Sequence, residues 1–165
     1  MFTVGIITAS DKGAQGQRED QSGPAIAGFI EKIGGKVVQK VIIPDEREVI
    51  SKQLIAFCDV DHLDLVFTTG GTGFSKRDIT PEATQDVIER VIPGFTDLIR
   101  VKSFESNPRA ILSRAVAGIR KDTIIINLPG SPKGVLEALD IIGPSLVHGI
   151  EILKGSATEC ASHHQ

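Results

Sequence analysis

The sequence predicts an α/β fold, doubly wound around a mostly parallel sheet. Two observations carry this: strand-length runs rich in Val, Ile and Leu alternate with segments of helical period, and each run is followed by turn residues. Four strands are placed, at Thr3 to Thr8, Lys36 to Ile43, Leu63 to Thr69 and Thr123 to Leu128. Apolar runs of this kind suit strands buried on both faces. Ser22-Gly23-Pro24 opens a helix with a capping hydroxyl and an early proline, and Gly34-Gly35 closes it. Its apolar face is Ile26, Phe29, Ile30 and Ile33. Asp45, with Glu48 three residues on, reads as a capping-box variant ahead of Val49, Ile50, Leu54 and Phe57. Thr80-Pro81-Glu82 is a third helix start. Shorter helical pieces follow Pro93 and Pro108, and a last helix runs from about Gly134 to Leu153.

At 165 residues the chain has room for one domain, placed at residues 1–155, with a loose tail at 156–165. Apolar residues are 41% and charged residues 24%, which excludes a disordered chain. The formal net charge of −3 offers no positive field for nucleic-acid backbones, and Phe is the only aromatic type available for base stacking. Nucleic acid is therefore not an expected partner. Cys58 and Cys160 fit neither a disulfide framework nor a zinc-ligand spacing. No apolar run approaches ~18 residues, and Met1 leads straight into Phe2 to Ile7 without a signal-peptide pattern. The expectation is a cytoplasmic protein without membrane contact.

In a parallel sheet, ligands collect beyond the carboxyl ends of the strands. The unusual stretches of this chain fall there. After the third strand comes Thr69-Gly70-Gly71-Thr72-Gly73, whose glycines let successive amides turn toward one anion. It suits a phosphate, and a plain tight turn is the alternative. It is neither a Walker A loop nor a dinucleotide fingerprint. Asp78 stands close behind, placed to hold Mg²⁺ against bound phosphates or simply to favour a helix N-terminus. Asp45 follows the second strand, where helix capping already accounts for it. Ser10, Asp11, Asp20 and Ser22 line the long connection after the first strand. Gly130, Ser131 and Lys133 follow the fourth, as anion contacts or as a solvated turn.

Taken together these segments resemble the MoaB/Mog family of molybdenum-cofactor biosynthesis over about residues 3–155. The resemblance rests on Thr68-Thr69-Gly70-Gly71-Thr72-Gly73, Arg77-Asp78-Ile79-Thr80-Pro81-Glu82-Ala83-Thr84, Pro93-Gly94-Phe95, Ala110-Ile111-Leu112-Ser113-Arg114 and Leu128-Pro129-Gly130-Ser131-Pro132-Lys133. Ser10-Asp11 and Asp20-Gln21-Ser22-Gly23-Pro24 extend it. It implies a three-layer α/β/α protomer, a homotrimer, and transfer of AMP from Mg-ATP to the terminal phosphate of molybdopterin with release of pyrophosphate. It implies Asp45 and Asp78 as catalytic carboxylates and Mg²⁺ ligands, with the glycine loop and Ser131 among the substrate contacts. Molybdate insertion would belong to a separate protein. Gln21 and Gly134 stand where Arg and Ala are common in the family. A non-catalytic molybdopterin-binding or carrier protein is the alternative within it.

Overall fold

A computed structural model of the chain describes residues 1–156. Beyond Ser156, the expected tail and Cys160 lie outside the described residues. The strands are β1 (Phe2–Ala9), β2 (Gly35–Ile43), β3 (Leu65–Thr69), β4 (Arg90–Val91), β5 (Ala117–Arg120) and β6 (Thr123–Leu128). They form one sheet in the order β2-β1-β3-β6-β5-β4. β2, β1, β3 and β6 run parallel, whereas β5 and β4 close the sheet antiparallel. The four expected strands are the four parallel ones, each within two residues of its expected bounds. The helices are α1 (Asp11–Ala14), α2 (Ser22–Lys32), α3 (Arg47–Asp59), α4 (Thr80–Gln85), α5 (Pro93–Ser106) and α6 (Pro132–Leu153), with a 3-10 turn at Pro108–Leu112.

Side chains alternate across the strands, so each parallel strand feeds two cores. On one face Val4, Ile6, Leu65, Phe67, Ile124 and Ile126 pack under α2, α5 and α6, through Ile26, Ile30, Ile99, Leu139, Ile142 and Leu146. On the other Ile7, Val66 and Ile125 pack under α3 and α4, through Ile50, Leu54, Phe57 and Ala83. The result is the expected three-layer α/β/α arrangement. Among the described residues, no helix is long and apolar enough to cross a membrane.

Three local expectations are corrected. Ser22 does not cap α2: its hydroxyl donates to the Gly130 carbonyl (2.8 Å), and Asp20 Oδ1 instead accepts the amides of Ser22 and Gly23 at 3.1 and 3.0 Å. Asp45 forms no capping box, because α3 starts later, at Arg47, with Glu46 as its flanking residue. The segment after Pro93 is a 14-residue helix rather than a short piece.

Topology places the site. From β1 the chain moves outward to β2, then returns across β1 to β3. The crevice at such a reversal lies outside the carboxyl ends of the strands. Here that means Ala9-Ser10, Thr69 to Gly71 and, from neighbouring β6, Leu128 to Gly130.

Candidate active site

The glycine loop leaves β3 in a backbone that only glycine adopts freely. Gly70 has φ +92° and Gly71 has φ +68°. A Cβ on Gly70 would also press within 2.5 Å of the Ala9 carbonyl oxygen. The far side of the loop is tied down, with the Thr80 amide donating to Gly71 O (3.1 Å) and the Arg114 amide to Thr72 O (2.9 Å).

Facing this loop is a ridge made by Pro129 to Ser131. Two hydroxyls hold it: Thr69 Oγ1 donates to Pro129 O (2.6 Å) and Ser22 Oγ to Gly130 O (2.8 Å). Gly130 lies against Gly70, close enough that a Cβ on it would sit 3.3 Å from the Gly70 Cα. Ser131 caps α6 by accepting the Gly134 amide at 3.1 Å. Thus Ser22 and Thr69, both buried, aim the ridge by hydrogen bonds to main chain.

Two clefts flank the ridge and share Gly130. The larger, about 610 Å³, takes in Ser10, Asp20, Asp45, Gly70, Gly71 and Asp78. The smaller, about 260 Å³, takes in Thr72, Gly73, Asn107, Arg109, Ser131 and Glu137. The structure therefore brings most of the expected site residues to these two clefts. Lys133 is exposed in the first turn of α6 and lines neither. Asp11 also lines neither. Ser10 caps α1, accepting the Gly13 amide at 3.0 Å. Asp20 serves the local fold, since beyond its two amides its Oδ2 accepts the Thr8 hydroxyl (2.9 Å).

The acids divide by their partners. Asp11 and Asp45 exchange backbone contacts: the Asp11 amide donates to Asp45 Oδ2 and the Asp45 amide to Asp11 Oδ1, both at 3.0 Å. Asp11 also takes a two-point ion pair from Arg77, at 2.8 and 3.0 Å. That guanidinium holds the Asp11 carboxyl below the usual carboxylate range. Asp45 goes the other way. Burial pushes its carboxyl up, and the neighbouring negative charges of Asp11 and Asp78 add to the rise. Asp78 turns back over the loop, where its Oδ2 accepts the Ser75 amide (2.9 Å). Neither Asp45 nor Asp78 belongs to an ion pair among the described residues. The Arg77 charge tempers the rise at Asp45 without reversing it, and a cation brought by a ligand would relieve what remains.

Two residues outside the expected set organise this centre. The Arg114 guanidinium donates to Gly73 O and to Asp78 O and pairs with Glu82, so one side chain clamps both ends of the segment between the loop and α4. Asn127, fully buried, donates to Thr68 Oγ1 (2.8 Å) and Thr84 Oγ1 (2.9 Å) while accepting the Val116 amide (3.1 Å). Arg114 lies in a segment that supported the family resemblance. Nothing local in the sequence singles out Asn127, whose partners are 11 to 59 residues away.

The chain as a whole is similar to known proteins. A family model described as a probable molybdopterin binding domain matches residues 5–148. A molybdopterin adenylyltransferase of Helicobacter pylori is 43% identical over 155 residues, covering 93% of this chain and 88% of its own. One from Escherichia coli K12 is 37% identical over 172 residues, covering 96% and 88%. Among solved structures, the molybdopterin biosynthesis enzyme MoaB of Thermus thermophilus superposes with a TM-score of 0.90 at 44% identity, covering 94% of this chain and 98% of that one. From its fold, its glycine loop and these matches, the chain belongs to the molybdopterin-binding family of molybdenum-cofactor biosynthesis.

Proposed function

We propose that this chain is a molybdopterin adenylyltransferase. A terminal phosphate oxygen of molybdopterin attacks the α-phosphorus of ATP, forming the new phosphoanhydride bond as the bond to the leaving pyrophosphate breaks. Such a transfer demands alignment and charge neutralisation more than a covalent nucleophile. The observation that carries the reading is the convergence of two carboxylates, neither held in an ion pair, on a left-handed glycine loop at the reversal of strand order.

The donor set fits Mg²⁺, which takes one or two protein carboxylates and keeps water and phosphate oxygens as its other ligands. Asp45 and Asp78 would hold it, and when bound it supplies positive charge to the transferring and leaving phosphates. The loop amides from Gly70 to Gly73 would orient phosphate oxygens. Ser22 and Thr69 hold the ridge between the clefts, so that two substrates bound on either side meet across Gly130. Arg114 fixes Asp78 through its carbonyl. Ser10, Thr72, Ser131 and Lys133 would complete the contacts.

The apolar side chains that α5 and the 3-10 turn leave in solvent fit a subunit interface: Val101 is 63% and Ile111 61% exposed, with Leu98, Phe104 and Leu112 beside them in sequence. We take this face to be buried in a homotrimer, to be tested by light scattering. A cytoplasmic site of action, with the product passed to a separate molybdate-inserting protein, goes with ATP as co-substrate.

The test is a product assay with molybdopterin, ATP and Mg²⁺. The expected result is one AMP incorporated into the pterin per pyrophosphate released. Pterin binding with ATP left intact would make the chain a carrier instead.

A further inference from the structure

The smaller cleft holds an acid that phosphate transfer does not need. Glu137 is the one carboxylate among its lining residues and Arg109 the one base, yet among the described residues Glu137 enters no ion pair. It is aimed instead by a neutral group: Ser106 Oγ on α5 donates to Glu137 Oε1 at 2.6 Å, across 31 residues of chain. A carboxylate oxygen accepts along two lone pairs, so Oε1 keeps one of them and Oε2 keeps both. Ser131, Gly134 and Glu137 stand three residues apart at the start of α6 and all line the cleft, and Gly134 puts no side chain between the other two. Ile99, Leu112 and Pro129 give the same cleft apolar wall.

Apolar walls with one oriented acceptor suit a flat body that carries N–H donors on one edge. At about 260 Å³ the cleft is smaller than the ~300–1,000 Å³ pockets that take drug-sized ligands, which fits a single fused ring system. The two substrates differ at that edge. The pyrimidinone ring of a pterin presents its 2-amino group and N3–H side by side, two donors that match the two oxygens of a carboxylate. Adenine sets the acceptor N1 beside its amino group, so a carboxylate would meet a second lone pair there. The larger cleft, with its glycine loop and two aspartates, is left for the triphosphate.

We propose that Glu137 is the residue that selects the pterin, its carboxylate accepting the 2-amino and N3–H groups of a ring seated between Ile99, Leu112 and Pro129. Ser106 holds the carboxylate at the angle this pairing needs. Across the Gly130 ridge the side-chain phosphate then faces the nucleotide. The inference rests on the molybdopterin substrate proposed above and assigns its ring to one of the two clefts.

The experiment titrates wild type and Glu137→Gln, by fluorescence, with an oxidised pterin carrying a phosphorylated side chain and with its lumazine counterpart, in which a carbonyl replaces the 2-amino group. Non-hydrolysable α,β-methylene ATP with Mg²⁺ is titrated in parallel. Wild type is expected to prefer the pterin to the lumazine by ~10-fold or more, because the lumazine turns an acceptor toward the carboxylate. Glu137→Gln offers one acceptor and one donor to the ring edge, so it should bind the pterin ~10–100-fold more weakly, lose the preference, and keep its affinity for the nucleotide. Equal affinity of wild type for pterin and lumazine overturns the proposal, and so does a preference that survives in Glu137→Gln. A variant that loses the nucleotide rather than the pterin overturns it as well, and gives the smaller cleft to adenine. If the preference behaves as expected while wild type transfers no AMP, the transferase reading fails and Glu137 stands as the pterin contact of a carrier. If Glu137→Gln does not fold, a wild-type crystal with the pterin decides: its 2-amino nitrogen within hydrogen-bonding distance of the Glu137 carboxylate upholds the proposal, and any other placement overturns it.

Discussion

Acids at opposite ends of the parallel strands, Asp59 at one and the pair Asp45 and Asp78 at the other, are treated in opposite ways. Beside the start of β6, Asp59 receives a two-point ion pair from Arg120 (2.7 and 2.9 Å) and a further contact from Lys121 (3.2 Å). The Arg120 hydrogen bonds pull its carboxyl down to about 2. At the carboxyl ends of the strands, Asp45 is pushed up by burial and Asp78 faces the same cleft, with no basic side chain paired to either. The first arrangement lowers the energy of the folded chain. The second raises it at Asp45, and a site keeps such strain where a ligand will relieve it.

Breaking the second group should cost activity and not stability. Asp78→Asn is expected to lower adenylyl transfer by ~100-fold or more in an assay of AMP incorporation, the scale seen when one preorganised electrostatic contact is lost. Arg114→Met removes a clamp rather than a contact with the reacting phosphates, so a fall of ~10–100-fold in kcat is expected. Because that guanidinium also holds Glu82 below its usual range, Arg114→Met should raise the titration midpoint of Glu82 followed by NMR.

Breaking the first group should do the reverse. Asp59→Asn should keep kcat and lose several degrees of melting temperature at neutral pH. The sign follows from linkage: a carboxyl whose pKa is depressed by folding stabilises the fold above its unfolded value, ~4, and ceases to do so as pH falls through about 2. Melting curves of wild type and Asp59→Asn should therefore converge across that window. The smallest effect belongs to Arg77→Gln. Its ion pair to Asp11 is exposed, so stability should hold, with activity reduced by less than ~10-fold through the looser Asp11 to Asp45 contact.

Legibility in the sequence follows the range of the interactions. β1, β3 and β6 are readable because a long apolar run declares itself within its own residues, while β2, an edge strand with no buried residue, shows only the shorter runs Val37-Val38 and Val41 to Ile43. β4 spans only Arg90–Val91, and β5 turns into β6 at Lys121-Asp122 with φ +50° at Lys121 rather than at a glycine, so neither carries a local signal. The glycine loop and Asp78 were legible from their place after a strand. Local spacing points Ser22 and Asp45 to nearby amides as caps, whereas their partners are Gly130 and Asp11, 108 and 34 residues away. Arg114 reaches Gly73 across 41 residues, beyond the reach of any spacing rule.

The account rests on Asp45 being retained for chemistry at some expense to the fold. The most direct measurement takes one preparation of Asp45→Asn and records its melting temperature at pH 7 beside its rate of AMP transfer to molybdopterin. The account predicts a melting temperature equal to or above wild type, together with a rate lower by ~100-fold or more. A variant that melts lower yet transfers AMP at the wild-type rate would contradict it.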